Sequence, residues 1–205
     1  MLNIFARASV SRVTDPIGAW LVRRGLTPNT VTVLGTLGAV ASALWFFPRG
    51  ELFAGTLVVT AFVLFDLIDG SMARAQGGGT PFGAVLDASC DRIADGALFG
   101  ALAWYAFDTG NRPLALAALI CLVCAQVISY IKARADASGL SADGGLAERA
   151  ERFIVALVGS LLHGLGVPYV LDGALWLLAV ATVFTVVQRL LSVRRSARGT
   201  TDEPR

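Results

Sequence analysis

Long apolar runs separated by short polar breaks set the pattern of this chain. The first run opens at Leu26, continues to about Phe47 and is broken by Pro48, Arg49 and Gly50. Leu52–Ala75, Phe82–Phe107, Leu114–Ala133, Leu146–Leu165 and Val170–Leu191 follow. Each is close to the roughly 20 residues that a helix needs to cross a bilayer. The breaks carry glycine, proline and charge, which helices rarely cross intact. Thr27 and Pro28 suit the cap and first turn of the opening run. The pattern therefore predicts an all-α integral membrane protein with six transmembrane helices.

Residues 2–14 mix Leu2, Ile4, Phe5, Ala8 and Val13 with Arg7 and Arg12, too short and too charged to span. They suit an N-terminal amphipathic helix lying at the interface. Asp15 and Pro16 open a second short piece, with Trp20 as an interface anchor and Arg23, Arg24 and Gly25 at its end. The expectation is one domain over 1–205, with interfacial helices in 1–25, a six-helix core in 26–195 and a disordered tail in 196–205.

Composition agrees with a polytopic protein. The 205 residues are 55% hydrophobic, with mean hydropathy +0.66. That is too apolar for a soluble domain and leaves no room for a separate one. The net charge of +2 hides an uneven distribution. Of seventeen Lys and Arg, only Arg49 and Arg112 fall in the turns opposite the termini. The positive-inside rule then places both termini on the cytosolic side of the cell membrane. Arg7 and Arg12 interrupt the first apolar stretch, so no cleavable signal is expected. Cys121 and Cys124 lie inside an apolar run with no second pair, which favours packing over redox or zinc chemistry. His163, the single histidine, lies at the far end of the fifth run and reads as structural or interfacial. Nothing points to nucleic acid.

One stretch carries chemistry. Asp66, Asp69, Gly70, Ala73 and Arg74 share a helix face within roughly 140° of arc. Gly83, Asp87 and Asp91 share the face of the next helix. A carboxylate deep in a membrane helix costs about 2.5–3.5 kcal/mol, so four need cations to offset them. Carboxylates at i, i+3 on one helix and i, i+4 on its neighbour can hold two divalent ions. Gly70 would let a nucleotide approach the backbone, or serve helix packing. Arg74 is placed to meet a phosphate, or to snorkel. Asp95 continues the i+4 series and reads as structural, paired with Arg92 or facing a polar cavity.

These positions spell D-x2-D-G-x2-A-R-x8-G-x3-D-x3-D. The stretch resembles the signature of the CDP-alcohol phosphotransferase family at every fixed residue. The resemblance implies a magnesium-dependent phosphatidyltransferase with two Mg²⁺ ions, replaceable by Mn²⁺, on Asp66, Asp69, Asp87 and Asp91. It implies a CDP-lipid site on Asn29, Thr32, Asp66, Asp69, Gly70, Ala73, Arg74, Thr80 and Gly83. It makes Asp91 the candidate general base; the residues themselves leave base, ligand or both open. The implied reaction is attack of a hydroxyl on the lipid-side phosphorus of CDP-diacylglycerol, expelling CMP. The family also implies a homodimer; separately, Gly96 and Gly100 are small enough to allow close helix approach.

The acceptor is read from cations at three cytosolic helix ends. Lys132, Arg152, Arg194 and Arg195 could converge on one basic pocket beside the acidic site, suited to an acceptor with its own phosphate. The alternative is positive-inside residues facing lipid headgroups. The segments 130–134 and 147–152 resemble the bacterial phosphatidylinositol phosphate synthase branch, which implies inositol 3-phosphate. Phosphatidylglycerol phosphate synthase and other members of the family remain alternatives. From different classes, an intramembrane prenyltransferase would space its aspartates differently, and a cation transporter would not need Gly70 and Arg74.

Overall fold

The computed structural model describes residues 14–201, apart from the side chains at 66, 67 and 199–201. Within that range all regular structure is helical. α1 covers 14–23. α2 (Pro28–Phe46), α3 (Leu52–Ala75), α4 (Pro81–Asp108), α5 (Arg112–Ala137), α6 (Arg149–Gly164) and α7 (Val170–Thr201) follow. The interfacial helix expected over 2–14 lies outside the described residues but for its last position. The chain divides into two compact units: one holds residues up to Ala43 and Leu57–Ala94, the other Leu44–Thr56 and Asp95–Arg205.

In the first unit, local chemistry sets the helix ends. Gly25, at φ +84°, closes α1 in the left-handed conformation that glycine adopts without cost. Its N–H donates to the Val22 carbonyl at 2.9 Å. Thr27 caps α2 by accepting from the Thr30 N–H at 3.2 Å. Gly77 and Gly78, at φ +90° and +127°, end the third helix where the sequence places its break. Thr80 caps α4 through the Gly83 N–H at 3.0 Å. Between α2 and α3 the contact is close because Gly38 stands against the Phe62 ring, and any side chain there would overlap it.

In the second unit, α5 and α6 both pack on α7. The 138–148 segment is strapped to α7 by main-chain hydrogen bonds to side chains. The Ala147 N–H donates to Thr185 Oγ1 at 3.0 Å and the Leu146 N–H to Gln188 Oε1 at 3.1 Å. Arg189 Nη1 donates to the Ile128 carbonyl at 3.0 Å, tying α7 to α5. The three cysteines are free, and Cys121 is buried in packing as expected. His163 Nε2 lies 3.0 Å from the Tyr105 hydroxyl. At Gly96 and Gly100 the nearest groups to where a Cβ would stand are Gln126 Nε2 at 3.9 Å and Leu122 Cδ1 at 3.8 Å, ordinary contact within the chain.

Among the described residues, four helices are long and apolar enough to cross a membrane: α2, α3, α5 and α7. The two other expected spans differ for separate reasons. α4 has the length but carries Asp87, Asp91, Arg92 and Asp95. α6 begins only at Arg149, and its 16 residues rise about 24 Å, short of a roughly 30 Å hydrocarbon core. α7 continues to Thr201, so 196–201 is helix rather than the expected tail. Its arginines mark an exit from an apolar environment, and arginine is a good helix former.

Candidate active site

The first unit holds a cavity of about 560 Å³. α2 contributes Asn29 and Thr32 to its lining, α3 contributes Asp69, Gly70 and Ala73, and Thr80, Gly83 and Asp87 come from the start of α4. These eight were singled out from sequence, and the fold brings them around one space. Asp69 is 8% exposed and accepts a hydrogen bond from the Thr32 hydroxyl across the α2–α3 contact. That hydroxyl also lies 3.1 Å from the Pro28 carbonyl. Its single proton goes to the charged acceptor, the stronger of the two. Asp87 is exposed within the cavity wall. Gly83 is hemmed by Asn29 Oδ1 and Thr80 Oγ1, each 3.1 Å from where a Cβ would stand, so a side chain would press on the lining.

Two signature residues, Asp91 and Arg74, stand apart from this lining. The Asp66 side chain is outside the described set. Asp91 lies one turn beyond Asp87, half-buried, with its Oδ2 3.7 Å from Arg92 Nη2. Arg74 projects from α3 to Asp15 of α1, with Nη2 3.1 Å from Oδ1. Sequence reasoning missed Gln76, Gly78 and Gly79, which also line the cavity. The glycines read only as helix breakers, and nothing local signals that a linker's backbone will wall a cavity.

The donor chemistry fits a hard divalent cation. Asp69, Asp87 and Thr32 offer oxygen alone, and neither thiol nor imidazole lines the cavity among the described residues. No group of three His, Cys, Asp or Glu side chains within metal-binding reach occurs among the described residues; the fourth carboxylate of the set, Asp66, is not among them.

The four cations expected from sequence to meet the acceptor lie in the second unit in three different settings. Lys132 Nζ meets Asp143 at 2.7 Å and Asp136 at 3.2 Å. Arg152 is 1% exposed, with Nη2 3.0 Å from Asp95 Oδ2 and Nη1 donating to the Ala147 carbonyl at 2.9 Å. Arg194 and Arg195 are exposed on α7. Asp95 is thus a buried partner of Arg152, with Arg149 Nε 3.6 Å away, which places it in a structural role.

An all-helical chain with a carboxylate cavity built from two signature helices fits one class of enzyme. The chain belongs to the CDP-alcohol phosphatidyltransferase family, whose model matches residues 25–187. It is an enzyme of phospholipid synthesis. Similar curated proteins are phosphatidylinositol phosphate synthases. The Mycobacterium tuberculosis protein is 58% identical over 196 residues, covering 94% of this chain and 90% of the relative. The Mycobacteroides abscessus protein is 52% identical over 198 residues, covering 96% and 90%. The crystal structure of the M. tuberculosis synthase with CDP-DAG bound matches with a TM-score of 0.89 and 56% identity, covering 95% of this chain and 99% of that one. The same enzyme in complex with manganese and citrate matches with a TM-score of 0.88 and 56% identity, covering 94% of each chain.

Proposed function

We propose that this enzyme transfers the phosphatidyl group of CDP-diacylglycerol to a hydroxyl of 1D-myo-inositol 3-phosphate, giving phosphatidylinositol phosphate and CMP. The observation that carries the reading is the gathering of Asn29, Thr32, Asp69, Gly70, Gly83 and Asp87 around one cavity. Relatives named phosphatidylinositol phosphate synthase, one of them in structures with CDP-DAG and with manganese, support the donor, the acceptor and the need for a metal.

Asp66, Asp69, Asp87 and Asp91 hold two Mg²⁺ ions, which, when bound, offset the diphosphate charge and stabilise the entering and leaving oxygens. The protein's own groups do the remaining work. Thr32 fixes the orientation of Asp69. Gly70 leaves room for the nucleotide against the backbone. Arg74 donates to a phosphate oxygen. Asp91 accepts the acceptor's hydroxyl proton as that oxygen bonds to the lipid-side phosphorus. The bond from this phosphorus to the bridging oxygen breaks, and CMP departs with that oxygen. Lys132, Arg194 and Arg195 bind the acceptor's phosphate, while Arg152, expected from sequence to join them, is buried on Asp95 and the Ala147 carbonyl and supports the fold instead. The enzyme works as a homodimer in the plasma membrane, with six spans and with both termini and the active site cytosolic.

The test is CMP release from CDP-diacylglycerol by purified protein with magnesium and a panel of acceptors. Release with inositol 3-phosphate, and little with glycerol 3-phosphate, serine or free inositol, is the expected result. Preference for glycerol 3-phosphate would move the enzyme to another branch. No acceptor-dependent CMP release would overturn the reading.

A further inference from the structure

We propose that Asp15 is a positioning residue for Arg74, and that α1 is docked on α3 in the register that places it there. This rests on the reading of Arg74 as a phosphate-binding residue.

The docking is built from small and buried groups. Gly18 of α1 stands against Ser71 and Met72 of α3, and a Cβ at Gly18 would overlap the Ser71 hydroxyl. Ser71 is 1% exposed and Met72 fully buried. The Ser71 hydroxyl lies 3.0 Å from the Thr14 carbonyl, beside its own-helix acceptor, the Ile68 carbonyl, at 2.7 Å. Only a residue without a side chain permits this approach, and the approach fixes where the preceding turn of α1 falls. Asp15 falls beside Arg74.

The geometry at Arg74 divides its guanidinium between two neighbours. Nη2 is held by Asp15 Oδ1 at 3.1 Å. Nη1 lies 3.7 Å from where a Cβ on Gly70 would stand, and Gly70 lines the cavity. Asp15 therefore anchors one edge of the fork and leaves the other edge toward Gly70. An arginine has five N–H donors, so one carboxylate leaves ample capacity for a phosphate. Without Asp15, a long and mostly exposed side chain would have to be ordered by the substrate itself. The bland alternative is an exposed ion pair that only helps α1 to dock, and such pairs contribute little to stability.

The two roles separate in kinetics. Asp15 is more than half exposed, so Asp15→Asn leaves the fold intact. It should raise the KM for CDP-diacylglycerol about two- to fivefold, the range of an exposed pair, with kcat and the acceptor KM unchanged. Asp15→Glu should recover part of the loss. In an Arg74→Gln background Asp15→Asn should have no further effect. Raising the ionic strength should narrow the difference between Asp15→Asn and the parent, because salt screens the pair. An unchanged or lowered KM in Asp15→Asn, or the same loss in both backgrounds, would overturn the proposal. If Arg74→Gln alone leaves the CDP-diacylglycerol KM untouched, the reading of Arg74 itself fails. If Arg74→Gln raises it and Asp15→Asn does not, only the positioning role fails.

Discussion

The carboxylate of Asp95 and the guanidinium of Arg152 meet at 3.0 Å with neither side chain more than 1% exposed. The two residues are 57 positions apart in sequence. Arg149 adds a second positive group 3.6 Å from the other Asp95 oxygen. A buried ion pair is weak evidence for stability, but breaking one half leaves a buried charge without its partner.

Arg152→Gln should therefore destabilise the protein by about 3–5 kcal/mol, read as a large fall in Tm. Asp95→Asn combined with Arg152→Gln should lose less than the two single losses added together. Additive losses would mean that the pair is not coupled. Because Arg152→Gln disturbs the fold, its effect on acceptor KM is interpretable only beside the double variant.

Lys132→Gln is the cleaner probe of the acceptor, since Lys132 is partly exposed. Loss of a charge-assisted hydrogen bond, about 1.5–3 kcal/mol, should raise acceptor KM roughly ten- to over a hundredfold. The CDP-diacylglycerol KM should stay near the parent value. Equal shifts in both, or none in either, would leave Lys132 as an anchor of the 138–148 segment only.

Asp69→Asn and Asp87→Asn should each abolish turnover and weaken metal binding. EDTA should stop the parent enzyme, and magnesium or manganese should restore it. Asp91→Asn should abolish turnover while CDP-lipid binding is largely kept. Full turnover in metal-free buffer would remove the metals from the mechanism, and a near-normal rate in Asp91→Asn would remove the base.

The Asp143 carboxyl is held below its ordinary range by hydrogen bonds from Lys132 and Ser141. A lowered folded-state value means that its contribution is full above the ordinary carboxylate pKa. That contribution fades as pH falls through the lowered one. Amide protection across 138–148, taken relative to the intrinsic exchange rate at each pH, should hold down to about pH 4 and fall below it. Asp143→Asn should lower that protection at neutral pH as well; unchanged protection would mean that other bonds hold the segment.

Topology is open to labelling. In a variant lacking the native cysteines, Gly79→Cys should react from the cytosolic side and Thr109→Cys from the opposite side. The reverse pattern would invert the protein and its access to substrate.

The limits of α3 were legible because Leu52–Phe65 is free of charge and Gly77-Gly78-Gly79 forbids continuation. The Thr27 cap was legible for a similarly local reason. The signature residues were legible as two helix faces, since 100° per residue fixes which positions align. What stayed hidden depends on distant partners. Nothing near Asp95 indicates that Arg152, 57 positions away, would reach it. Nothing near Arg74 points to Asp15, and a loop of glycines does not declare what it encloses. The end of α7 was missed because a run of arginines marks a change of surroundings, which a helix can pass without ending.

The packing of Gly38 on the Phe62 ring has a genetic counterpart. Gly38 is six residues, about 9 Å of helix rise, from Thr32. A bulky replacement must displace the ring or part α2 from α3, and the hydrogen bond from Thr32 to Asp69 crosses that same seam. A random screen for inactive alleles would then return Gly38 next to the aspartates, although it touches no part of the nucleotide. Ranking positions by loss of activity alone would count a hinge of the wall as a member of the chemistry.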